Sequence, residues 1–184
     1  LPVTIGGQPQ SGFGDPFGLL SDCHRRIESF LGVLVKAAEL GPESMGEAER
    51  ASLRRALDHF RDAAPKHTQD EEASVFPRLR ACDTAAAEAL RALDALESEH
   101  ADADRLHAEL DGLGREWIAS GTLASDKLAR FRDLAQRLAA IYARHIALED
   151  AEVFPLARQA LSPADLRQIG DEMAARRRVE ILPR

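Results

Sequence analysis

A chain of 184 residues, rich in Ala and Leu and with 5% aromatic content, is long enough to bury a core and has a helical composition. Its net charge of -7 argues against nucleic acid or an anionic membrane as partner, and its longest apolar runs, such as Phe30 to Val35, are too short to span a bilayer. Two cysteines, Cys23 and Cys82, make no disulfide framework and read as small buried hydrophobes; with no signal-peptide pattern at the start, the expectation is a cytoplasmic protein.

Residues 1–15, rich in Gly, Pro and Gln, carry no period and read as a loose arm. A first helix is predicted from about Asp15 or Pro16 to Leu40, with Leu20, His24, Ile27, Leu31 and Leu34 on its apolar stripe. Gly41-Pro42-Glu43 stops it. Ser44 with Glu47 reads as a capping box opening a second helix. The second stripe is Leu53, Leu57, Phe60, Ala64, His67, Glu71 and Val75, and Pro65 and Pro77 predict a kink or local break at each. A third helix starts near Asp83 or Thr84 and reaches about Ile118, with Leu93, Leu96, His100, Ala103, His107 and Leu110 in line. After a turn at Gly121, Ser125 caps a fourth helix. Its stripe is Leu128, Phe131, Leu134, Leu138, Tyr142 or Ile141, His145, Glu149, Glu152 and Leu156. Ser162-Pro163-Ala164-Asp165 is a strong start for a short fifth helix to about Arg178. The run Arg176-Arg177-Arg178 reads as its solvated end, favourable against the helix dipole. The expected fold is all-α: an antiparallel up-down four-helix bundle over 16–160, preceded by the arm and followed by a C-terminal helix and tail over 161–184.

One segment occurs twice. His67 to Arg80 laid over His145 to Arg158 without a gap matches His, Glu, Ala, Val, Phe, Pro and Arg. Each copy holds a His followed four residues later by a Glu, one above the other on a helix face. His24 to His67 is 43 residues and His100 to His145 is 45, so the chain reads as a duplicated helix pair. Four histidines, one per helix, and two glutamates thus fall on buried stripes that carry no Lys or Arg. A carboxylate in an apolar core costs several kcal/mol unless it is paired or metal-bound, and this predicts a ligand.

Four imidazoles and two carboxylates exceed the needs of one zinc and are too nitrogen-rich for calcium or magnesium. They suit two transition metals. With both glutamates bridging, each metal receives two His nitrogens and two oxygens; an oxo or hydroxo bridge adds a fifth ligand and leaves about one position open. Iron is the first choice, with manganese or zinc able to load the same ligands.

This pattern resembles the hemerythrin-like family, whose bundles carry a His on the first helix, His-x3-Glu on the second, His on the third and His-x3-Glu on the fourth. The matching metal ligands are His24, His67, Glu71, His100, His145 and Glu149, within a resemblance covering about residues 15–160. It implies a carboxylate-bridged di-iron centre that handles dioxygen, nitric oxide or peroxide. Oxygen-carrying members have His-x3-His on the third helix, whereas here Asp104 follows His100 and Leu96 precedes it. Carriers also use His-x4-Asp on the last helix; Asp150 offers that spacing, but the repeat with Glu71 favours Glu149. A site with one fewer imidazole is more open and favours sensing, reduction of a bound oxidant or iron handling over plain oxygen carriage; the function expected is sensing, storage or scavenging of a small oxidant. The alternatives are a di-iron peroxidase, oxidase or nitric-oxide reductase, and iron–sulfur cluster repair or iron donation. The last is weakened because Cys23 alone lies near the start.

Other polar residues flank the pattern. His107 shares the His100 face and reads as a core histidine, with gating as its functional reading. His59 is a flank residue and a candidate fifth ligand. Tyr142 either packs or offers its phenol to iron or a bound oxygen species. Glu28 and Asp104 read as solvent-facing, and Glu72 and Asp150 as acids that orient imidazole N–H groups.

Overall fold

The computed structural model describes residues 11–41, 45–82 and 87–178. Helix is the one kind of regular secondary structure among them, with no strand, as the composition predicts. The helices are α1 (Pro16–Glu39), α2 (Glu47–Asp62), α3 (Ala64–Asp70), α4 (Phe76–Arg80), α5 (Ala87–Ser120), α6 (Ser125–Leu148), α7 (Phe154–Ala160) and α8 (Pro163–Arg176). Two π turns, Glu71–Val75 and Glu149–Val153, join α3 to α4 and α6 to α7.

The boundaries follow local chemistry. The break expected at Pro65 falls at Ala63, between α2 and α3. α8 carries the expected capping box, Ser162 accepting from the Asp165 N–H and Asp165 accepting from the Ser162 N–H. The expected Ser44 cap lies outside the described residues; α2 starts at Glu47 behind Gly46, which makes no side-chain cap bond. The starts proposed at Asp83 or Thr84 also lie outside. Ser125 is the first residue of α6 rather than its cap. Gly121, with φ 79°, turns the chain out of α5, a conformation that strains any residue with a Cβ.

The chain forms two compact units. One comprises 1–26, 65–98 and 145–184, the other 27–64 and 99–144. The first unit is built around Phe17, Leu20, Val75, Phe76, Leu79, Leu93, Leu96, Val153, Phe154, Ala157, Ile169 and Met173. Of the expected arm, residues 1–10 lie outside the described residues. Ser11 donates its N–H to Asp22 at 2.9 Å, and Phe13 packs against this core. The Phe13 carbonyl comes so close to Gly170 that a Cβ there would lie 2.1 Å from its oxygen. The second unit buries Leu34, Leu53, Leu57, Leu110, Leu134 and Leu138, and sets Trp117 edge-on to Phe131 at 5.6 Å.

The π turns correct the expected stripes. Each leads into a Phe-Pro pair. Proline has no N–H to donate, and the preceding Phe bonds back over five residues, Phe76 to the Glu71 carbonyl and Phe154 to that of Glu149. The extra residue per turn displaces the buried face. Glu152 is exposed and Leu156 half-buried, while Val153, Phe154 and Ala157 face the core. No helix among the described residues is long and apolar enough to cross a membrane.

Candidate metal centre

The His-x3-Glu pairs end where the π turns begin: His67 lies on α3 with Glu71 opening the first turn, and His145 on α6 with Glu149 opening the second. The four-residue spacing sets His67 Nε2 3.1 Å from Glu71 Oε1 and His145 Nε2 3.2 Å from Glu149 Oε2. His24 on α1 reaches both glutamates, its Nε2 lying 3.1 Å from Glu149 Oε2 and 3.9 Å from Glu71 Oε1. His24 and His67 meet edge-on at 4.9 Å, and His24 stacks on Phe154 at 5.4 Å.

His24, His67, Glu71 and Glu149 each place one ligand atom within 4.8 Å of the others. Glu71, His145 and Glu149 do the same. Both glutamates are 0% exposed, and all three imidazoles are buried. His100, on the part of α5 in the second unit, is buried as well.

The electrostatics follow from burial. Burial raises the Glu71 carboxyl well above its usual range, and the Glu149 charge adds to the rise. Burial pushes Glu149 the same way, but the His145 and His24 imidazoles overcome it and hold its carboxyl low. Burial would lower the His24 pKa; the Asp150 and Glu149 carboxylates beside it reverse this and push it up to about 10.

The set fits a metal. Both Glu149 oxygens are buried, and two imidazole nitrogens converge on its Oε2 from about 3 Å. Buried nitrogen and oxygen donors converging in this way match an imidazole–carboxylate site for a transition metal. Asp150 completes the His24 side. Its Oδ1 lies 3.2 Å from His24 Nδ1 and accepts from Ser21 Oγ at 2.7 Å. An acid at Nδ1 can hold a proton there and leave Nε2 turned toward the glutamates. Of the two acids expected to orient imidazole N–H groups, Asp150 is the one set against His24.

The flanking candidates have other places. His59 stacks on Phe30 at 4.3 Å, and His107 on Phe60 at 4.3 Å. Tyr142 stands with its hydroxyl 3.2 Å from His107 Nε2. Burial, helped by the His59 charge, pushes the His107 pKa down to about 4. Glu28 and Asp104 are exposed, as expected.

Sequence reasoning missed Asp70, the residue before Glu71. It is fully buried, with Arg176 Nη1 donating to Oδ1 at 2.8 Å and Arg177 Nη2 to Oδ2 at 2.6 Å. This corrects the reading of the arginine run as a solvated end. The available signal was the position of Asp70, three residues after His67 and so near the buried face.

A family model for the hemerythrin HHE cation binding domain matches residues 15–157. A protein of Haemophilus influenzae of no stated function is 30% identical over 172 residues, spanning 91% of this chain and 93% of its own length. With the matched segment covering most of the sequence and buried His–Glu groups in place, this chain belongs to the hemerythrin HHE cation-binding family.

Proposed function

We propose that this protein is a non-heme di-iron protein that binds dioxygen or a related small oxidant, such as nitric oxide or peroxide, for sensing, storage or scavenging. His24, His67, Glu71, His100, His145 and Glu149 are the ligands in this reading. What supports it above all is Glu149: a fully buried carboxylate on which two buried imidazoles converge, within a group of His and Glu atoms that lie within 4.8 Å of one another. The cation-binding family and the spacing of the six residues support it further.

When bound, two ferrous ions would supply reducing electrons and open positions for a small molecule. The chain's own residues do the rest. Glu71 and Glu149 bring negative charge into the core to balance the cations. Asp150 holds the Nδ1 proton of His24. Phe154, stacked on His24 and itself buried, keeps water from that side. Asp104, exposed where oxygen carriers have another histidine, leaves one nitrogen fewer and a more open centre.

The test is iron content per chain and the visible spectrum of protein purified without added metal, followed by anaerobic Fe(II) loading. About two irons per chain with diferric absorption bands are expected, as is a spectral change when the reduced protein meets O2, NO or peroxide. A chain that takes up no Fe(II) overturns the reading. Repeated turnover of peroxide or NO would assign catalysis rather than binding.

A further inference from the structure

α8 begins beyond residue 157, where the family match ends, yet it is tied to the first His-x3-Glu segment. Asp70, Ser74 and Arg78 stand where the second copy has Leu148, Glu152 and Leu156. The structure sets these three polar residues against α8. Arg176 donates from Nη1 to Asp70 at 2.8 Å and from Nη2 to Ser74 Oγ at 2.6 Å, and Arg177 takes the other Asp70 oxygen. Arg78 grips Glu172 with two bonds, of 2.8 and 3.1 Å. Four residues separate Glu172 from Arg176, as four separate Asp70 from Ser74 and Ser74 from Arg78, so one polar row meets another.

We propose that α8 is a positioning element for the metal centre: Arg176 and Arg177, acting through Asp70, hold the backbone between His67 and Glu71 and so set how tightly metal is retained. The inference rests on the metal-centre reading above. Asp70 lies inside the His67–Glu71 segment, so any shift of that segment must break charged hydrogen bonds in a place without water to replace them. Two planar guanidiniums, one on each carboxylate oxygen, fix its orientation as well as its position. Ligands held in place before the metal arrives release it more slowly, because the ordering cost has been met in folding.

The experiment uses the full chain, loaded anaerobically with Fe(II) and challenged with a ferrous chelator, with helix content followed by circular dichroism. Arg176→Gln with Arg177→Gln is expected to release iron about 10- to 100-fold faster than wild type. Wild-type release from the folded variant overturns the proposal. That variant strands a buried carboxylate, so a second one removes all three charges together: Asp70→Leu, Arg176→Leu and Arg177→Leu. Exchange of a whole buried ion group for apolar residues is often neutral for stability, and Leu is what the second copy has at this position. This variant is expected to stay folded and still lose iron faster; unchanged release from it also overturns the proposal. A wild-type chain that takes up no Fe(II) overturns the metal reading itself, before any variant is compared.

Discussion

The two His-x3-Glu segments repeat each other in sequence but are braced by different means. Around His67 and Glu71 the support is a fully buried acid before the glutamate, Asp70, locked by two arginines from α8. Around His145 and Glu149 it is an acid after the glutamate, Asp150, whose side chain is 39% exposed and which leans on Ser21 and His24. The matched residues include the His-Glu pair and the Val-Phe-Pro that shapes the turn. Chemistry constrains those positions in both copies, whereas the groups that steady them need only be somewhere nearby, and each copy has found its own.

The largest effect is expected where both copies meet. Glu149 faces His24 and His145, so Glu149→Ala should abolish iron retention and lower the melting temperature, each stranded polar group costing about 1–3 kcal/mol. His67→Ala should do the same from the first copy. Wild-type iron content in both variants would undo the ligand assignment.

Asp70→Ala removes one partner of a buried charge group and should cost about 3–5 kcal/mol in denaturant unfolding. A loss no larger than that for an exposed ion pair would erase the contrast between the two braces.

His107, outside both copies, gives a baseline for acid sensitivity. Its folded pKa of about 4 lies below the ordinary histidine value of 6.5, so the unfolded chain binds more protons between those values. Its contribution is a loss of stability as pH falls through that window, reaching about 3 kcal/mol below it. His107→Leu should flatten the unfolding free energy between pH 6.5 and 4; an unchanged slope counts against a neutral, half-buried imidazole.

Asp150→Asn should speed iron release about tenfold with little change in apo-protein stability, since the acid is well exposed and screened. Smallest of all, Glu172→Gln loosens a partly exposed pair with Arg78 and should stay within about 1 kcal/mol. A larger loss would make that pair, rather than Asp70, the main tie to α8.

Much of this was legible in the sequence because it depends on local spacing. The stripe of α1 placed His24, the repeat placed both His-Glu pairs, and Ser162-Pro163-Ala164-Asp165 announced α8. Two things were not legible. Arg176 and Arg177 looked like a charged helix end because their partner is more than 100 residues away, and no local pattern carries that distance. A uniform α-helix puts Glu152 on the buried face, and the sequence predicts a kink or break at Pro77 and nothing at Pro155, whereas at both Phe-Pro pairs the backbone widens by one residue and stays helical.

That widening has a consequence for what lengths the chain tolerates. A helix residue turns the chain by about 100°, so the residue gained in each π turn acts as an insertion that lets the glutamate point one way and the following Phe another. Deleting a single exposed residue there, Ala73 or Ala151, would rotate everything downstream relative to the ligands. Either Phe76 or Phe154 would leave the core, or its glutamate would leave the site. The segment between each glutamate and its Phe-Pro is therefore fixed in length even at positions whose side chains are exposed.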